Sequence, residues 1–212
     1  MIKKYLDFCH RHINAKNRKR LKNVSPTLIC SNCTGGFIYH WLGLKFRSPF
    51  INLYLTDSDF VLALENWEQF ISYDIYEDQA SGKTYPVGIG YNNIKIHFMH
   101  YSSFEEAKTK WVERCRRINN DNIGFMLTNY GYDNSLLERF DKLPFKHKVV
   151  FTETPYPMIK SSFYLKGFSK PKRKGKNIYI TQNIFGKRFI DQFDYVEFIN
   201  NLNRNEQVQN ID

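Results

Sequence analysis

Thr27-Leu-Ile-Cys-Ser-Asn-Cys-Thr-Gly-Gly-Phe-Ile-Tyr-His-Trp-Leu-Gly-Leu44 decides how the rest of the chain is organised. Leu28, Ile29 and Cys30 form an apolar run that breaks at Ser31-Asn32 and passes through the Gly35-Gly36 pair. Phe37, Ile38, Trp41, Leu42 and Leu44 then recur at helical spacing. A strand, a tight glycine turn and a helix follow one another. Such a turn aims backbone N–H groups at a helix N-terminus, where anions and polar ligands bind well. The pattern is neither G-x-G-x-x-G nor a P-loop. A helix start that needs small residues for packing would use the same two glycines.

Working outward, apolar runs keep alternating with helical patterns. Strands are expected at 49–55, 94–99, 123–128 and 147–152, and helices over 58–71, 103–118 and 135–140. Ser102 or Ser103 opens the second of these helices, with Glu105 and Glu106 in capping-box range. Strand–helix alternation predicts βαβ units. The expected fold is α/β: a three-layer, mostly parallel Rossmann-like sheet with helices on both faces. Runs 162–165 and 177–181 flank a basic loop and could add an antiparallel C-terminal extension. The chain therefore divides into a basic N-terminal helix or arm (1–24), one α/β domain (25–205) and a frayed tail (206–212).

Charge is unevenly placed. Of the formal +10, residues 1–24 hold eight Lys or Arg against Asp7 alone, a net +7. Residues 166–176 hold six more and no acid, which leaves the remaining body near −3. Two basic segments on a near-neutral body are suited to phosphates, whether on nucleic acid, an anionic membrane face or a phosphorylated substrate. They would also serve as plain solvated surface. No apolar run approaches the length of a membrane span, and the N-terminus lacks the apolar core of a signal peptide. A cytoplasmic protein, peripheral at the inner membrane face, is expected. The four cysteines agree with a reducing compartment. Cys30-Ser-Asn-Cys33 has C-x-x-C spacing but no second pair for zinc, so no metal site is assigned to it.

Ligands of open parallel sheets bind at the carboxyl ends of strands. Here those ends carry Ser31-Asn32-Cys33, Thr56-Asp57-Ser58-Asp59, Met99-His100-Tyr101, Thr128-Asn129-Tyr130 and Thr152-Glu153-Thr154. Asp57 and Asp59, one residue apart, could hold a divalent metal against a nucleotide diphosphate. The first turn of a helix also favours acids there. His100 is placed to act as a base, whereas His97, inside its strand, reads as a hydrogen-bonded structural residue. On helix 103–118, Phe104, Ala107, Trp111, Cys115 and Ile118 form one stripe, which makes Trp111 core. Arg114 and Arg117 flank that stripe and could reach a phosphate or carboxylate. An exposed basic last turn is the competing reading.

The first motif, the His97-Phe-Met-His100-Tyr101 run and the Trp111-x-x-Arg114-x-x-Arg117-Ile-Asn helix occur in this order. Together with Arg18-Lys-Arg-Leu-Lys-Asn23, they resemble an uncharacterised bacterial family, domain of unknown function 1919. The resemblance covers roughly residues 16 to 155. The family pattern looks like Ile-Ser-Asn-Asn-Cys-Trp-Gly-Gly, and this chain departs from it at Cys30, Ser31 and Thr34. Family members are often labelled exopolysaccharide or capsule biosynthesis proteins. The resemblance thus implies a pathway populated by transferases that use nucleotide sugars or lipid-linked glycans. The resulting expectation is a glycosyltransferase. The turn Ser31, Asn32, Cys33, Gly35 and Gly36, with Tyr101, would bind donor or substrate, and a divalent metal could accompany the nucleotide sugar. His100, Asp59 or Asp57 would be the catalytic group, and Arg114 and Arg117 would stabilise the leaving diphosphate. The alternatives are an acyl- or other group-transferase with Cys33 as nucleophile, and a non-catalytic nucleic-acid- or membrane-binding protein using both basic segments.

Overall fold

A computed structural model describes residues 2–128, 133–168 and 177–203. The chain starts with helix α1 (Ile2–Arg20), followed by strand β1 (Thr27–Cys30) and helix α2 (Thr34–Leu42). Helices α3 (Asp57–Glu65) and α4 (Trp67–Ser72) come next, then three short strands, β2 (Tyr76–Glu77), β3 (Val87–Ile89) and β4 (Lys95–His97). Helix α5 (Phe104–Cys115), strand β5 (Ile123–Thr128), helix α6 (Asn134–Lys142), strands β6 (Lys148–Thr152) and β7 (Ser162–Tyr164) and helix α7 (Tyr195–Asn201) complete it.

The main sheet is four-stranded and parallel, in the order β1-β5-β6-β7. Its residues alternate between two cores. Ile29, Phe125, Leu127 and Val150 face α3, α4, α5 and α6, while Leu28, Cys30, Met126, Val149 and Phe151 face α2 and α7. This is the helix–sheet–helix layering that alternation implies. Local caps set the helix starts. The Thr56 hydroxyl accepts from the Asp59 N–H at 3.1 Å. The Ser103 hydroxyl accepts from the Glu106 N–H, whose carboxylate returns to the Ser102 N–H at 3.3 Å.

Three expected elements differ. Residues 49–55 do not enter the sheet as a strand, and only Tyr54 makes a bridge, to His97. Pro49 has no N–H to donate, and Asn52 turns to a φ of 61°, which breaks the extended run. The segment instead runs past the end of β1, where the Leu55 N–H reaches the Ser31 carbonyl at 2.9 Å. The expected 94–99 strand is β4, and it belongs to a separate antiparallel sheet, β2-β3-β4. The C-terminal extension is not antiparallel. β7 joins the parallel sheet beside β6, because the 153–161 connection carries the chain back before it pairs. Residues 177–181 form turns rather than a strand.

The basic N-terminal segment is helical as expected, and α1 is docked on the body. Asn17 Nδ2 donates to the Tyr195 hydroxyl (2.8 Å), Arg18 Nε donates to the Trp41 carbonyl (2.7 Å), and Arg20 pairs with Asp194. Of the second basic segment, 169–176 lies outside the described residues, as do 129–132 and the expected tail.

Candidate functional site

β1 is an edge strand of the parallel sheet, and the 51–56 segment borders its carboxyl end. A cleft of about 410 Å³ opens there. Cys33, Gly36, Phe37 and His40 line it from the N-cap and body of α2, Phe46, Ile51 and Asn52 from the opposite wall, and His100 from the turn after β4. Gly36 and His40 lie one helical turn apart, so they present the same face of α2. His100 is exposed to solvent, which leaves its imidazole accessible to an incoming hydroxyl.

The α2 turn divides its labour. Ser31 is buried, and its hydroxyl accepts from the Thr128 N–H at 3.2 Å, tying β1 to β5. Asn32 Oδ1 accepts from the Thr34 N–H and hydroxyl at 3.0 and 2.6 Å, which fixes the turn into α2. The two glycines differ. A Cβ on Gly35 would stand 2.8 Å from Cys30 Sγ, so this position needs glycine for close packing. A Cβ on Gly36 would stand 3.8 Å from Ile51 Cδ1, an ordinary contact, and would project where the cleft is lined.

Cys33 Sγ lies 3.9 Å from the Leu53 carbonyl oxygen. Burial pushes its thiol pKa up, against a hydrogen bond with Tyr179 that lowers it. Tyr179 also stacks on Phe37 with ring centroids 4.6 Å apart. Cys33 is therefore held as a thiol at neutral pH, the opposite of an activated nucleophile.

The far wall is held from α5. Arg114 Nη1 donates to the Tyr101 hydroxyl at 2.6 Å, and that hydroxyl donates to the Ile51 carbonyl at 3.1 Å. Burial raises the Tyr101 pKa, while the nearby Arg114 charge works the other way. Arg114 also lies 5.8 Å from the Phe46 ring centre. Arg117 Nη1 donates to the Phe46 carbonyl at 3.1 Å and pairs with Glu113. Both guanidinium groups and Tyr101 thus brace the 46–51 wall, and in this geometry they position cleft residues rather than line the cleft.

Asp57 and Asp59 occupy the first turn of α3 and are not among the cleft-lining residues. The Asp59 carboxylate acts electrostatically on His97. The His97 ring stacks on Tyr54 at 4.4 Å, and its Nδ1 lies 3.5 Å from the Tyr85 hydroxyl. Burial, and then the Lys83 charge, lower the His97 pKa; Asp59 opposes them. Among the described residues, no group of three or more His, Cys, Asp or Glu side chains is arranged to hold a metal ion.

Cys33 and Gly36, which follow β1 of the parallel sheet, share one cleft with His100, which follows β4 of the antiparallel sheet and so lies outside the strand-end rule used to select it. Sequence reasoning missed His40, Phe46 and Asn52. The i to i+4 spacing of Gly36 and His40 could have flagged the first, and asparagine is a residue type that tolerates the positive φ of Asn52, although the type alone does not single out that position.

Fold and cleft together define an α/β protein with polar groups converging at the carboxyl end of an edge strand in a parallel sheet. The chain belongs to the family described as Domain of unknown function (DUF1919), which matches residues 4–200. It is 42% identical over 189 residues to a Haemophilus influenzae protein described as "Uncharacterized protein". That match spans 89% of this chain and 90% of the relative.

Proposed function

We propose that the protein is a transferase of bacterial surface-polysaccharide assembly, moving a glycosyl group from a nucleotide sugar to an acceptor hydroxyl in the Cys33–His100 cleft. One observation carries this reading. The α2 N-terminal turn and His100, separated by more than sixty residues of sequence, line the same cleft at the carboxyl end of β1. The pathway rests on the family resemblance carried by the three motifs. In this reading the donor diphosphate lies toward the α2 N-terminus, where the helix dipole favours negative charge. His100 takes the acceptor proton. The acceptor oxygen bonds to the anomeric carbon, the bond from that carbon to the diphosphate oxygen breaks, and the nucleotide diphosphate leaves. Asp59 is the weaker base candidate, because it is not among the cleft-lining residues. Acyl transfer through Cys33 is disfavoured by the raised thiol pKa.

A thermal-shift panel of nucleotide sugars, nucleotides and acyl-coenzyme A, each with and without Mg²⁺ or Mn²⁺, tests the reading. A ligand that binds only the folded state should raise Tm by several degrees at about a hundred times its Kd. A nucleotide sugar is expected to give that shift. Gly36→Ala should keep the fold and abolish the shift, because the added methyl enters the cleft. His100→Ala should leave binding intact and reduce transfer by about 10²- to 10⁴-fold. No shift with any nucleotide sugar, or a shift that Gly36→Ala leaves unchanged, overturns the assignment.

A further inference from the structure

A second feature lies outside the cleft, at the end of the molecule where α1 begins. Ile2, Tyr5 and Phe8 are 77%, 50% and 61% exposed, and Ile184 and Phe185 are 77% and 65% exposed. Gly186 brings the two sets together. It has a φ of 71°, and a Cβ there would stand 2.7 Å from Cys9 Cβ and 3.6 Å from the Leu6 carbonyl oxygen. The turn carrying Ile184 and Phe185 therefore abuts α1 at Leu6, Cys9 and His10, on the side of Ile2 and Tyr5, with Phe8 farther round the helix at the same end. Five water-facing apolar side chains at one end call for an explanation that scattered surface leucines do not.

Their setting narrows the choice. Leu6, Cys9, His10 and Ile13 are half-buried and mark the face of α1 turned to the body. Helical geometry puts Lys4, Phe8, Arg11 and Lys19 on the opposite face. Arg18 and Arg20 bond to the body, whereas Lys3, Lys4, Arg11, Lys16 and Lys19 are exposed. Asp7 is the lone acid of the helix. Apolar anchors set among cations on one helix are the composition of an interfacial helix. Among the described residues no helix is long and apolar enough to cross a membrane, so the contact would be peripheral.

We propose that this end of the protein docks on an anionic lipid bilayer. Ile2, Phe8, Ile184 and Phe185 would enter the headgroup boundary, Tyr5 would sit at that depth with its hydroxyl in water, and the exposed lysines and Arg11 would lie over lipid phosphates. Charge complementarity favours this occupant over a second copy of the chain, whose own α1 would set cation against cation. Nucleic acid would be met by the cations and by stacking aromatics, which leaves aliphatic Ile2 and Ile184 without a role. The inference does not depend on the chemistry of the cleft.

The test is flotation of the full chain with vesicles of phosphatidylcholine alone and with vesicles enriched in phosphatidylglycerol. Binding is expected only to the anionic vesicles and should weaken with added salt. Lys4→Gln with Arg11→Gln should weaken it by about fivefold per charge removed. Ile184→Ser with Phe185→Ser should weaken it by a similar factor while leaving Tm unchanged, since both side chains already face water. Phe8→Ser is the matching variant on α1. Four results would overturn the proposal: absence of binding, equal binding to both vesicle types, indifference to the three apolar substitutions, or conversion of a dimer to monomer by them. Salt-sensitive binding to an oligonucleotide, without vesicle binding, assigns the cations to nucleic acid instead.

Discussion

The two faces of the parallel sheet are built on different terms. On the α3–α6 face, Phe125, Leu127 and Val150 meet a core of aliphatic and aromatic side chains. Trp111 packs there among Phe50, Phe70 and Phe98 at ring separations of 5.6, 5.7 and 6.3 Å. The α2–α7 face encloses a charge. Arg188 is 2% exposed, reaches Asp191 at 2.8 and 3.0 Å and Asn14 at 3.0 Å, and lies 3.5 Å from the Trp41 ring centre. Its Nη1 has no hydrogen-bond partner among the described residues. An apolar core accepts any filling of the right volume, whereas a buried ion pair accepts only its own partner. The contrast also explains how α1 is held, because Asn14 and Asn17 reach into this charged cluster through Arg188 and Tyr195.

The largest expected effect breaks that pair. Asp191→Ala strands a buried guanidinium and should lower the unfolding free energy by about 3–5 kcal/mol, measured by urea denaturation. Replacing both partners, as Arg188→Met with Asp191→Leu, should recover most of the loss, because no charge is left uncompensated. On the other face, the volume-conserving Leu127→Met should cost less than about 1.5 kcal/mol. Equal losses for Asp191→Ala and Leu127→Met would mean that the two faces do not differ in the way proposed.

What could be read from the sequence follows the same divide. The α3–α6 face was legible because its signal is periodicity alone. Phe104, Ala107 and Trp111 fall on one helical stripe, and all three are buried. The charged face was not legible. Arg188 lay in no motif, and the basic run of α1 read as a partner for phosphates or as solvated charge, although Arg18 and Arg20 bond to the body. Short pieces were also lost: β2 and β3 have two and three residues, too few to show a period. For 162–165 the pattern marked a strand without its direction, since parallel and antiparallel strands alternate alike. At the cleft, strand ends pointed to Cys33 and His100, and the glycine turn pointed to Gly36. The bracing of the Phe46 wall by Arg114 and Arg117 depends on how a loop folds back on α5, which spacing does not encode.

An intermediate effect comes from the neighbouring glycines at the junction of the charged face and the cleft. Gly35→Ala sets a methyl 2.8 Å from Cys30 Sγ and should cost about 1–3 kcal/mol through overpacking. Cys30→Ala removes the obstructing sulfur, so the double variant should be more stable than the sum of the two single changes predicts. Gly36→Ala meets no such neighbour and should change stability little. A melting comparison of the four proteins separates a glycine required for packing from one that leaves a cleft open. If Cys30→Ala fails to relieve Gly35→Ala, the close approach is not what selects glycine at that position.

The smallest expected effect is electrostatic, on the rim of the apolar face, where β4 brings His97 beside Tyr54 and Tyr85. Burial and the Lys83 charge lower the His97 pKa, so the folded protein binds this proton less readily than the unfolded chain does. The linked stability is present above the ordinary histidine value, about 6.5, and is lost as pH falls through the lower folded-state midpoint. His97→Gln should therefore flatten the stability profile in that acidic window without changing the profile above it. An NMR titration gives the direct reading. Lys83→Gln should raise the His97 midpoint, because a repelling cation is gone. Asp59→Asn should lower it further, because the carboxylate that favours the imidazolium is gone. The Asp59 variant also separates two roles for that carboxylate. A shifted His97 midpoint with unchanged nucleotide-sugar binding and transfer places Asp59 in the field of His97, whereas lost transfer with an unshifted midpoint makes it the base of the cleft.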